Sequence, residues 1–114
     1  MPDGHVFVAR SRDGREIRLT NTIWRKIQED HLEFRDRHEL TDEIRTAIAD
    51  PEYIVAGRRG AHIALSWSEV APVGAKHIAV VYRELNGDGF VITAFFISRF
   101  ERLLSRGILW QKSS

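Results

Sequence analysis

Apolar residues return along the chain with two different periods, and each change of period marks a change of element. Short extended runs at 6–9 and 16–19 flank Arg12-Asp13-Gly14, and Asp-Gly between such runs predicts a small hairpin. The period then lengthens. Ile23, Trp24, Ile27, His31 and Phe34 recur at three and four positions behind the N-cap oxygens of Thr20-Asn21-Thr22, which predicts a helix over 22–34. The charged stretch 35–39 breaks it. Thr41 is placed to cap a second helix, with Asp42 and Glu43 at its positive end and Leu40, Ile44, Ala47 and Ile48 as its buried stripe. Asp50-Pro51 ends that helix, because proline lacks an N–H and disfavours helical backbone in the residue before it.

From Glu52 onward the period is two. Runs at 53–56 and 61–67 surround Gly57-Arg58-Arg59-Gly60 and predict a hairpin with a four-residue loop. That register sets Ala56 opposite Ala61 and Ile54 opposite Ile63. It puts Ile54, Ile63, Leu65 and Trp67 on the core face, and Tyr53, Val55, His62 and Ser66 on the other. A loop through Pro72, Gly74 and Lys76 leads to strands at 77–85 and 90–98, joined by Asn86-Gly87-Asp88-Gly89. Loops of two or four residues preserve parity alike, so Tyr82 and Thr93 are expected on one face. Phe100, Leu103 and Leu104 suggest a helical turn, Gly107 its stop, and Ile108-Leu109-Trp110 a last extended segment. These elements predict an α+β fold: an N-terminal hairpin and two helices, followed by a four-stranded antiparallel meander sheet with a C-terminal addition. The helices are expected to cover one sheet face of a single globular domain over 1–114.

Composition agrees with one domain, since a chain of 114 residues removes about two thirds of its surface from water and builds one core. The absence of Cys excludes disulfide partners, thiolate metal sites and cysteine nucleophiles. No apolar run approaches the roughly 20 residues of a membrane span, and the first residues carry no signal-peptide core, so a cytoplasmic protein without a membrane partner is expected. The formal charge is +1, but it is unevenly spread: 1–28 and 53–114 are basic, while 29–52 is acidic. The cationic ends could converge in space, as in a nucleic-acid binder.

Several residue groups bear on chemistry. No His-Glu-x-x-His, Gly-rich phosphate loop or Gly-x-Ser-x-Gly elbow occurs, so neither a metal nor a nucleotide cofactor is expected. Arg58 and Arg59 stand at a hairpin tip, either as a solvated turn or as a phosphate clamp. His31 rides the edge of the first helix's apolar stripe near its C-terminus, where the dipole favours imidazolium; a structural hydrogen bond and a proton donor to phosphate are both open to it. Thr93 places a hydroxyl among Val91, Ile92, Ala94, Phe95 and Phe96, where it is either a site residue or simply a good strand former.

Trp24-x-x-Ile27-x-x-x-His31-x-Glu33, Asp50-Pro51-x-x-Ile54, Val91-Ile92-Thr93-Ala94-Phe95 and Gly107-Ile108-Leu109-Trp110 together resemble phage- and mobile-element-associated domains of the barnase–EndoU–colicin–RelE (BECR) nuclease superfamily. Asp30, Leu32 and Phe95 stand where that pattern has Arg, Pro and Tyr. The resemblance implies metal-independent RNA cleavage by attack of the 2′-hydroxyl on the adjacent phosphorus, a toxin-like or phage-related role, and His31 and Thr93 as catalytic residues. On chemical grounds Tyr82 is added as a same-face proton donor, and Arg83 or Arg99 as charge stabilisers. RNA is the expected ligand, with a protein inhibitor or partner also in view. The alternative on the same fold is a non-catalytic RNA- or protein-binding module, or a structural subunit.

Overall fold

A computed structural model describes residues 4–72, 74–86 and 88–113. The chain forms β1 (His5–Arg10), β2 (Glu16–Thr20), α1 (Asn21–Asp30), α2 (Thr41–Ala49), β3 (Tyr53–Ala56), β4 (His62–Trp67), β5 (His77–Leu85), β6 (Asp88–Ile97), α3 (Glu101–Leu104) and β7 (Ile108–Gln111). The strands make one seven-stranded mixed sheet in the order β1-β2-β6-β5-β4-β3-β7.

This corrects the expected four-stranded meander with two helices. The β3–β6 meander exists, but the hairpin joins it: Glu16, Ile17 and Arg18 of β2 pair in parallel with Asp88, Gly89 and Phe90 of β6. At the other edge β7 pairs antiparallel with β3. Alternation reports that a segment is extended, not which strand receives it. A two-stranded hairpin is not stable alone, and docking on β6 lets Ile17 and Leu19 become fully buried.

One face of the sheet carries the main core. Ile27 of α1 and Ile44, Ala47 and Ile48 of α2 pack over Ile17, Leu19, Ile78, Val80 and Val91. Thr20 caps α1 by accepting the Ile23 N–H at 3.1 Å. The helix ends at Asp30 rather than at 34, because His31 takes an extended conformation while its N–H still reaches the Ile27 carbonyl at 2.8 Å. Leu32–Phe34 then form a tighter turn that stacks Phe34 on Phe96, ring centroids 4.9 Å apart. Thr41 does not cap α2 as its spacing suggests. It is the first helical residue, and its hydroxyl donates back to the His38 carbonyl. The turn between β1 and β2 closes over the rest of this face, where Arg15 pairs with Glu84 and the Arg12 guanidinium lies 4.3 Å above the Trp110 ring of β7.

Two registers differ from expectation, each by one residue. In the β3–β4 hairpin Val55 faces Ile63 and Ala56 faces His62, so the loop holds five residues, with Arg59 in the left-handed region at φ 55°. Tyr53 and Val55 therefore share a face with Ile63 and Leu65, and Ile54 lies on the helix-bearing side with Ala64. In β5–β6, Leu85 pairs with Asp88, leaving Asn86 and Gly87 as the loop, of which Gly87 lies outside the described residues. Farther along, Val81 pairs with Thr93 but Tyr82 with Val91, which leaves Ile92 unpaired in a bulge. The bulge breaks the parity argument, and Tyr82 and Thr93 fall on opposite faces.

The second face is only partly covered. Short α3 lays Phe100, Leu103 and Leu104 against Tyr53, Val55, Leu65 and Ala79. Beneath it His77 is buried, 4.1 Å from the Phe100 ring centroid, with Nε2 3.7 Å from a Glu52 carboxylate oxygen. Toward Arg83 this face is bare.

Candidate functional site

The bare part of the second face is a groove of about 620 Å³. Its floor is apolar: Ile63 of β4, Val81 of β5, Ile92 and Phe95 of β6, and Leu103 of α3. Its rim carries four guanidinium groups, those of Arg58, Arg59, Arg83 and Arg106. Each reaches the rim for a local reason. Arg58 and Arg59 occupy the β3–β4 tip, and the extra loop residue forces Arg59 into its left-handed conformation. Arg83 is the residue of β5 that follows buried Tyr82, so alternation turns it to the open face. Arg106 lies in the turn after α3, just before Gly107, whose φ of 120° only glycine adopts readily, and there the chain reverses into β7.

Two of these arginines are anchored by carbonyls. An Arg83 Nη1 donates to the Arg59 carbonyl at 2.5 Å, and Arg106 Nε donates to the Ala56 carbonyl at 3.1 Å. Each bond uses one of five N–H donors and leaves the rest of the fork for a ligand. Among the described residues no carboxylate pairs with any of the four rim arginines, whereas Arg12, Arg15, Arg18 and Arg37 all have acidic partners. Unpaired guanidiniums over a low-dielectric floor attract anions, and planar forks suit phosphate oxygens.

The residues anticipated from sequence are distributed unevenly around this groove. Arg58, Arg59 and Arg83 lie on it together. Arg99 is exposed in the bend before α3 and does not line it. Thr93, opposite Val81, is on the same face of β6 as the groove but does not line it. His31, at the end of α1, meets the same strand two residues on, with its ring 5.9 Å from that of Phe95. Tyr82 is corrected: it is 1% exposed on the helix-bearing side, beside His62, with the sheet between it and the groove. Burial, reinforced by the nearby charges of Glu84 and Asp13, pushes its phenol far above the ordinary tyrosine range, so it holds its proton more tightly than an exposed tyrosine, and on this side of the sheet it cannot reach the groove. Arg106 and the bulged Ile92 were not anticipated. The one available signal for Arg106 was its place before Gly107, where a helical turn has to stop.

Among the described residues no group of three or more His, Asp or Glu side chains could hold a metal ion, and no helix is long and apolar enough to cross a membrane. No family model, curated protein or solved structure matches the chain.

Proposed function

We propose that this protein is an RNA-binding domain whose arginine-rimmed groove holds the phosphate backbone. The observation that carries this reading is the set of four arginines, without a carboxylate partner among the described residues, around one apolar floor. Charge and shape support it together: phosphates meet the rim, and the floor accepts the flat faces of bases. Fluorescence anisotropy with a short labelled RNA tests it. Replacing Arg58 and Arg59 by Ala removes two charge-assisted contacts and should weaken binding by at least about tenfold, since such contacts contribute about 1.5–3 kcal/mol each. Undiminished binding, or competition by an acidic protein but not by RNA, would refute it.

Cleavage is the second reading, and the contact of the His31 ring with Phe95, a residue that lines the groove, favours it. The resemblance to BECR nucleases points the same way. In that reaction the 2′-hydroxyl loses its proton, attacks the adjacent phosphorus, and the 5′-oxygen leaves with a proton. His31 is the histidine whose ring lies against that of Phe95, a residue of the groove floor, and Tyr82 takes no part. Incubating the protein with total cellular RNA, alongside His31→Ala, decides the matter: fragments from the wild type alone establish cleavage, and intact RNA in both leaves the domain a binder. A toxin-like role requires in addition that expression of the wild type, but not of His31→Ala, arrest growth.

A further inference from the structure

On the RNA-binding reading above, we infer that the groove selects single strands and does not distinguish ribose from deoxyribose. What the groove can read is set by the hydrogen-bonding groups it presents. Its side chains are guanidiniums, which only donate, and hydrocarbon, which does neither. No lining side chain carries an acceptor. Four carbonyls around the rim each already accept one hydrogen bond: Arg58 from the Ala61 N–H, Arg59 from Arg83, Ala61 from the Gly57 N–H, and Ala56 from Arg106. A 2′-hydroxyl is identified by its ability both to donate and to accept. The accepting half of that recognition has no side-chain counterpart among the lining residues, so the sugar goes unread.

Single-strand selectivity follows from the floor. Phe95, Ile92 and Val81 offer apolar surface that becomes useful only to bases that are unstacked and turned toward the protein. Phe90 extends that surface along β6. It pairs with Arg83, shares its face, and is 38% exposed. A duplex presents sugar and phosphate outward and buries its base faces, so it can use the arginine rim but leaves the floor empty. Free energy from the floor therefore goes to single strands alone.

Anisotropy titrations of the wild-type protein test this with three labelled probes: a short single-stranded RNA, the single-stranded DNA of the same sequence, and the RNA annealed to its complement. The two single strands should bind within about threefold of each other, and the duplex about tenfold or more weaker, because base stacking on such platforms commonly contributes that factor or more per base. Affinity for the single strands should fall with a log–log salt slope near −3, from about 0.7 per phosphate over four arginines. Phe95→Leu, which keeps an apolar side chain but removes the ring, should lower single-strand affinity about fivefold and leave the duplex unchanged. A melting curve establishes that the variant is folded, and if it is not, the probe comparison on the wild type still decides. RNA preferred over DNA by tenfold, or duplex bound as tightly as single strand, overturns this inference while leaving RNA binding intact. Failure of all three probes, or binding insensitive to replacing Arg58 and Arg59 by Ala, overturns both.

Discussion

Gly89 is the position where a single methyl group should do most damage. It sits in β6 between Ile17 of β2 and Glu84 of β5, at the junction that attaches the N-terminal hairpin to the rest of the sheet. A Cβ added there would lie 2.5 Å from the Arg83 carbonyl oxygen, 2.7 Å from Ile17 Cδ1 and 3.3 Å from Glu84 Cα. Two of these three atoms are backbone in the β5–β6 ladder, so relief requires the strands to separate. Ile17 is fully buried, so its side chain can give way only by displacing its core neighbours. Overpacking a well-filled core costs about 1–3 kcal/mol. Loss of part of the three-residue parallel pairing adds roughly 1 kcal/mol for each hydrogen bond weakened. We expect Gly89→Ala to destabilise by about 2–4 kcal/mol, or about 8–15 °C in melting temperature for a domain of this size. Urea denaturation followed by tryptophan fluorescence measures it, and an unchanged m-value assigns the loss to the native state. Had residues 86–89 formed an open turn beside an unpaired β6, alanine would be nearly neutral. A loss below about 0.5 kcal/mol would therefore refute the parallel junction.

Three further outcomes are expected. Ile27→Ala and Ile44→Ala should each lose about 2–5 kcal/mol in chemical denaturation, because both side chains are buried between helix and sheet; losses under about 1 kcal/mol for both would deny that packing. Tyr82 keeps its proton in the folded state above the pH at which an unfolded tyrosine releases it, so its contribution to stability is complete below about pH 10 and is lost as pH rises beyond that. Absorbance titration should show Tyr82 ionising only with unfolding, and its ionisation in the folded protein near pH 10 would contradict its burial. Asp88 accepts from Arg18 and from the Gly89 N–H, which hold its carboxyl below the ordinary range; its contribution is present above the unfolded value and fades as pH falls through the folded one, and Asp88→Asn should remove that acid-side dependence from the melting temperature.

Local patterns in the sequence carried the elements well and their partners poorly. The apolar stripes of α1 and α2 are legible because helical contacts repeat within a few residues, and Ile27, Ile44, Ala47 and Ile48 are indeed buried. Ile17 and Leu19 alternate as a half-buried strand should, yet the strand that receives β2 lies about seventy positions farther on, as the Arg18–Asp88 ion pair measures, and nothing near them in sequence names it. Both register errors come from one residue each. Ala61 reads as strand but belongs to the hairpin loop, and Ile92 is as apolar as its neighbours, so the bulge leaves no mark in composition. The candidate site was legible in proportion to how local it is. Arg58 and Arg59 announce themselves as a pair at a tip. Arg83 entered on chemical grounds and lines the groove, whereas Arg99, advanced on the same grounds, does not. Arg106 joins them only because α3 folds back across the sheet.

The attachment of β2 to β6 also sets the order in which the molecule can assemble. Residues 16–18 and 88–90 must find each other across about seventy intervening positions, as the Arg18–Asp88 pair measures, and β3 waits for β7 in the same way. Closing loops of that length is entropically costly before any contact rewards it, which places the domain among slow folders for its size. During synthesis the hairpin emerges well before β6, and the outer edge of β2 stays unpaired until β6 has left the ribosome. For that interval the chain exposes a hydrophobic strand with an open edge, the feature that chaperones bind and that aggregation exploits.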